Sequence, residues 1–409
     1  GPVITRIARG GTYTGTTTIK ENASALISYS ESSFGDGNST LTNNGTLYLT
    51  AASSVDWNQS IGGTGNVMIT SADATIRNLG MLKANTYTGN TTIGANAKLY
   101  LGGTNTSSST ATLGTGDIIL NHANATLTIS RSNNITIANN ISGIGNLEAL
   151  NSDQVSTFTG NINITGNLSV GLRSTLKIGT TGVLGSNGVF TGAIKFVNSN
   201  GTFEYASASD LNLTGNIYET FQNMYGVLRK STTNSTLTVT GNNNLTGATY
   251  IEAGTLYALG SNTSTGKLGT GNVSNNASLI FNHSDGSSLS YISGNISGTG
   301  NVTFISAGNI TIDKTVNLSG ANSSVLLQSN ANITVNSNIT SSGANGKISL
   351  LAGAATAAGT GTGGQISFNA GTNPNLTLSN TGTVVLFQGN NSANLTATLE
   401  ARIVGANTT

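Results

Sequence analysis

Cleavage of a polysaccharide calls for clustered carboxylates, often with Arg, Lys or His beside them. One acid must protonate the leaving oxygen while a second group acts as base or nucleophile. The 409 residues include 15 acidic ones and contain neither an Asp-Asp nor an Asp-x-Asp pair. The two histidines, His122 and His283, each follow an asparagine. His283 is trailed by Ser284 and Asp285, but a nucleophile, its base and the orienting acid converge from separate segments, which adjacent residues rarely do. Both histidines read as solvated turn residues. Cysteine is absent, which removes thiol nucleophiles and thiolate metal sites. The expectation is a protein that is not an enzyme and needs no metal or cofactor.

Two glycine-rich stretches, Gly62-Gly63-Thr64-Gly65-Asn66 and residues 361–364, have the look of calcium-binding turns but lack the Asp such turns require, so they read as corners. No phosphate-binding loop with its Lys is present. Sixteen scattered Lys and Arg against 15 acids give a net charge of +1. That leaves no basic stripe for a phosphate backbone, so nucleic acid is not an expected partner.

Aromatic residues do cluster. Of 22, seven fall between Phe190 and Tyr225: Phe190, Phe196, Phe203, Tyr205, Tyr218, Phe221 and Tyr225. Exposed aromatics beside cations suit sugar faces and acidic groups. Tyr205, Tyr218, Phe221 and Tyr225, with Lys195, Arg229 and Lys230, are therefore candidate ligand-binding residues. The same residues would also serve a thicker core or a small flap. Trp57, beside Asp56, is a weaker candidate of the same kind.

Thirty of the 55 asparagines begin an Asn-x-Ser/Thr triplet, where about fifteen would arise by chance; the triplet marks a glycan acceptor. Strand alternation alone places Asn and Thr outward around an inward Ile, as at Asn134, Asn309, Asn332 and Asn338. Asn22, Asn44, Asn105, Asn200 and Asn262 have no large apolar middle residue, which makes them the candidate glycosylation sites.

The elements that position these residues follow from composition and repeats. Charged residues are 8% of the chain, against roughly 25% in an average soluble protein. Asn, Ser and Thr with β-branched apolar residues suit strands and tight turns. The phrase Thr12-Tyr13-Thr14-Gly15-Thr16-Thr17-Thr18-Ile19 returns as Thr86 to Ile93, then more loosely as Thr157 to Ile164 and Asn244 to Ile251, at spacings of 74, 71 and 87. Leu113 to Leu147 maps onto Leu268 to Val302 at a single offset of 155. Within each long unit, apolar and polar residues alternate over short runs broken by Gly or Asn, as in Asn309-Ile310-Thr311-Ile312, which predicts strands and little helix. A long repeat built of short strands selects a coil of stacked rungs over a sandwich or barrel. At roughly twenty residues per rung, a typical figure for such coils, about twenty rungs are expected.

Two passages carry a family resemblance: Thr86 to Ile93, and Leu245-Thr246-Gly247-Ala248-Thr249-Tyr250-Ile251-Glu252-Ala253-Gly254-Thr255-Leu256-Tyr257. Both resemble the passenger-associated repeat of autotransporters and large exoproteins. The last hundred residues, clearest at Ala331 to Thr340, are similar to the shorter repeats of filamentous-haemagglutinin-like exoproteins of two-partner secretion. Together with the triplet count, the chain looks most like the high-molecular-weight adhesins of that class. The resemblance implies a right-handed parallel β-helix, all-β throughout. It implies secretion to the bacterial cell surface through an outer-membrane translocator, and triplets modified by a cytoplasmic glycosyltransferase. The implied ligand is a host glycan or glycoprotein receptor, sialylated ones included. Asn373-Pro374-Asn375-Leu376 matches a short secretion-domain motif, but it lies near the wrong end of the chain and reads as a plain Asn-Pro turn. Absence of Cys fits export through an oxidising periplasm. Gly1-Pro2 reads as a cleavage scar on an excised fragment.

The expected organisation is 1–302 as a β-helix of about four long units and 303–409 as its continuation with shorter repeats. The expected function is an adhesin fragment. A carbohydrate-cleaving β-helix enzyme and a purely structural spacer are the alternatives.

Overall fold

The computed structural model of the chain describes residues 4–7, 14–29, 39–51, 53–105, 107–260, 268–283, 288–291, 294–353, 363–379, 381–388 and 403–404. Among them are 45 short strands and no helix. The strands pair in parallel and stack into a β-solenoid of about 15 turns, fewer than the twenty expected. The reason lies in the corners. Thr46 pairs with Asn66, 20 positions on, but Thr91 pairs with Ile118, 27 on, and Ile339 with Leu376, 37 on. Strand length stays at a few residues, so the added residues lengthen the connections and leave the rungs alone.

By internal contacts the chain divides into Gly1–Ser207 and Ala208–Thr409. The strand Asn301–Ser306 runs through the point where the repeat phrases change, pairing with Ser278–His283 on one side and Ser324–Ser329 on the other.

In the first unit, one face is a sheet that includes Thr46–Ala51, Asn66–Ser71, Thr91–Ile93, Ile118–Leu120, Ile141–Gly143 and Asn161–Ile164 in successive turns. Alternation decides which side chains point inward. Leu47, Val67, Thr91, Ile118, Ile141, Ile162 and Leu184 are in register, one per turn, and all are buried. Thr91 is tolerated in that column because the buried Tyr87 hydroxyl lies 2.6 Å from its Oγ1, so neither hydroxyl is left unsatisfied. In the second unit Leu237, Leu256, Leu279, Val302, Val325 and Ile348 form the equivalent column, all buried. Beside it, the Phe281 and Phe304 rings stack at 5.1 Å with an interplanar angle of 5°. Truncating such a residue to Ala removes about 2–5 kcal/mol, since no neighbouring rung can collapse into the gap.

Asparagines tie the corners together. In the first unit, Asn66 Oδ1 accepts the Asn90 backbone N–H (2.8 Å), Asn90 Oδ1 accepts that of Asp117 (3.0 Å), and Asn140 Oδ1 accepts that of Asn161 (3.0 Å). The second unit does the same from Asn272 to Asn295 and from Asn295 to Thr315. Each side chain thus takes a donor from the next turn that would otherwise face solvent unpaired. The two stretches related by the offset of 155 fold alike within their own units. Ile118–Leu120 and Ile141–Gly143 correspond to Val273–Asn275 and Ile296–Gly298.

Candidate functional site

The segment after the strand Ile217–Glu219 departs from the regular corner. Ile217 and Glu219 point inward and Tyr218 outward, as alternation requires. Inward placement buries a carboxylate. Glu219 Oε1 accepts the backbone N–H of Gly226 (2.9 Å) and of Thr246 (2.8 Å), and Oε2 accepts that of Met224 (3.0 Å). The Thr246 hydroxyl donates to the same carboxylate, 2.9 Å from Oε1 and 2.8 Å from Oε2. One buried side chain therefore fixes both ends of the loop 220–226 and fastens it to the next turn.

The loop is bent by two left-handed residues, Asn223 (φ 61°) and Tyr225 (φ 54°). That region is ordinary for Asn and uncommon for Tyr. The Tyr225 N–H is held by the Thr246 hydroxyl oxygen at 3.2 Å. Met224 turns inward, and the bend leaves Phe221 72% and Tyr225 52% exposed. Phe221 stands at the edge of an open depression of ≈ 420 Å³, lined also by Glu219, Thr220, Gln222, Asn244 and Thr246. Asn244 Oδ1 accepts the Glu219 N–H at 3.0 Å, which turns its amide NH₂ away from the strand. Among the described contacts, neither that NH₂ nor the Gln222 amide has a protein partner.

The candidate ligand-binding residues divide accordingly. Phe221 lines the depression, Tyr225 flanks it on the same loop, and Tyr218 is half-buried on the strand before it. Arg229 is committed to Glu252 Oε1 at 2.8 Å and to the Tyr250 ring, 5.3 Å from its centroid. Lys230 and Tyr205 are corrections, since both side chains are wholly buried and present no surface to a ligand. Alternation explains both, because each sits at an inward position of its strand, Val227–Lys230 and Thr202–Tyr205. The Lys230 ammonium donates to the Thr232 carbonyl oxygen and points to that of Ala253 at 3.5 Å. Burial pushes its pKa down to about 8, with Asp210 opposing the shift. Phe190, Phe196, Phe203 and Trp57 are likewise core residues. Lys195 is half-buried on Ile194–Phe196 in the first unit. Sequence reasoning missed Glu219, Asn244 and Thr246. Their signal was the departure of this segment from its sibling repeats, read together with the next turn.

Among the described residues no three His, Asp or Glu side chains gather as a metal site. Several carboxylates are paired: Asp73 with Arg77, Glu148 with Lys98, Asp153 with Arg173 and Glu204 with Lys177. His122 is exposed, its Nδ1 accepting the Asn124 N–H. The His283 ring fills the space that a Cβ on Gly260 would need, and Ser284 and Asp285 lie outside the described residues. The first unit also holds a smaller cleft of ≈ 240 Å³, lined in part by Leu101, Leu113, Ile135 and Ile137.

Asn134, Asn309, Asn332 and Asn338 all serve the interturn ladder, accepting the N–H of Val155, Asn332, Gln365 and Asn375 respectively at 2.8–3.1 Å. Asn44 is half-buried and accepts the Thr64 N–H at 3.2 Å. Asn22, Asn105 and Asn200 are exposed, and their side chains make no hydrogen bond among the described contacts. Asn262 lies outside the described residues. No family model, curated protein or solved structure matches the chain.

Proposed function

We propose that the chain is part of a surface adhesin and that the depression beside Phe221 binds carbohydrate. The observation that carries this reading is a large apolar ring held out in solvent on a loop whose backbone is anchored by a buried carboxylate. Exposing such a ring forgoes burial, and fixing it in advance lowers the ordering cost of binding. The rim adds amide groups without protein partners, which suits hydroxyl-rich ligands recognised by a stacking surface and a few hydrogen bonds. The resemblance to two-partner-secretion adhesins supports the same reading. It adds export through an outer-membrane translocator to the bacterial surface, a host glycan or glycoprotein as receptor, and glycosylation of the chain itself. Asn22, Asn105 and Asn200 are the proposed acceptors. Peptide mapping of natively produced protein tests this last part, and unmodified mass at all three removes it.

Binding is tested by applying the chain and its Phe221→Ala variant to an immobilised glycan panel. Phe221 is exposed, so its truncation changes stability by no more than about 0.5 kcal/mol, and lost binding reports on the site and not on folding. Panel binding that the variant retains in full removes the proposed site. Absence of binding by either protein sustains the spacer reading.

A further inference from the structure

We propose that the ligand of this site is a neutral saccharide, recognised without any countercharge; the inference rests on the carbohydrate-binding reading above. The lining residues supply an aromatic ring, hydroxyls, two amides and the Glu219 carboxylate, but no cation. Between Ala208 and Gly260 the only basic residues are Arg229 and Lys230. Arg229 is spent on Glu252 and the Tyr250 ring, and the Lys230 ammonium is buried against backbone carbonyls.

A carboxylate or sulfate on the sugar would lose water in the depression and gain no charge-assisted partner there, which is what usually offsets that loss. It would also meet the like charge of Glu219, which lines the depression. A neutral sugar meets neither penalty. Its apolar C–H face lies on the Phe221 ring, while its hydroxyls accept from the Asn244 NH₂ and exchange donors and acceptors with Gln222. The direction of the Asn244 amide is set by the Glu219 N–H bond to its oxygen, so that position presents a donor.

The test uses the full chain and pairs of immobilised glycans identical except for a terminal sialic acid or sulfate. The neutral member of each pair is expected to bind at least about tenfold more tightly. Its binding is expected to stay constant between about 50 and 500 mM NaCl, because no ion pair forms for salt to screen. Phe221→Ala is expected to abolish that binding, and Gln222→Lys to narrow the preference by adding a cation at the rim. Tighter binding of the acidic member, still lost in Phe221→Ala, overturns the neutral class while leaving the site in place. An unchanged preference in Gln222→Lys also counts against it. Binding indifferent to Phe221→Ala, or no binding at all, takes down the site itself and this inference with it.

Discussion

At the scale of single residues, two buried charges do opposite things. Glu219 is saturated by donors, so removing its charge leaves those donors facing the wrong group. Glu219→Gln puts an NH₂ against backbone N–H groups that need an acceptor. The expected cost is about 2–3 kcal/mol, with amide exchange at Met224 and Gly226 accelerating before the rest of the unit. Equal exchange rates in the two proteins would show that the carboxylate does not hold the loop. Lys230 instead bears a burial penalty. Below about pH 8 both folded and unfolded chains hold its proton and the penalty is present in full. Between about 8 and the ordinary 10.5 the unfolded chain binds the proton that the folded chain has lost, so stability rises with pH across that window. The rise is about 2–3 kcal/mol and is absent from Lys230→Met, which urea titrations of the two proteins at pH 8 and pH 10 measure. Parallel profiles would mean that the lysine is not buried as described.

At the scale of elements, the repeat phrases record where one turn's backbone presses on the next. Ile141-Ser142-Gly143 and Ile296-Ser297-Gly298 both end on a glycine with φ of 119° and 129°, and a Cβ on either would overlap the carbonyl of Leu120 or Asn275 in the adjoining turn. Both conformation and space exclude a side chain there. Gly143→Ala is expected to cost about 2–4 kcal/mol. Gly15 belongs to another repeat phrase, but a Cβ there meets nothing within 4 Å. Gly15→Ala should be neutral or stabilise by up to about 1 kcal/mol through the unfolded chain. Melting both variants separates contact-driven glycines from those that merely recur. Similar losses in the two would discredit the close-approach account.

For the molecule as a whole, stability comes from stacked apolar columns and interturn amide bonds, with little from charge. Only 8% of residues are charged, the net charge is +1, and the described ion pairs lie at exposed or half-buried positions. Such pairs are screened by salt and contribute little when intact. The melting midpoint is therefore expected to move by less than about 3 °C between 50 and 500 mM NaCl. A large fall would assign the ion pairs a role that the columns are argued to hold.

Period-two alternation and the long repeats determined, by themselves, that the chain is all-β and coiled into parallel turns. Both signals are local or strictly periodic, so they survive without knowledge of which turn lies on which. The same alternation carries the inward placement of Tyr205 and Lys230, since each shares its strand's buried phase. A residue list built on aromatic and cationic type ignored that phase and read them as exposed. The tertiary structure alone decided the arrangement of the candidate site. Glu219 acts through Met224 and Gly226 a few residues on and through Thr246 in the next turn, and Asn244 faces the depression because Glu219 N–H holds its oxygen. Those partners are 5 to 27 positions apart in a chain whose turns vary from 20 to 37 residues, so no fixed spacing announces them. Corner length is set by how each connection packs, and it is the corners that place side chains of different turns beside one another.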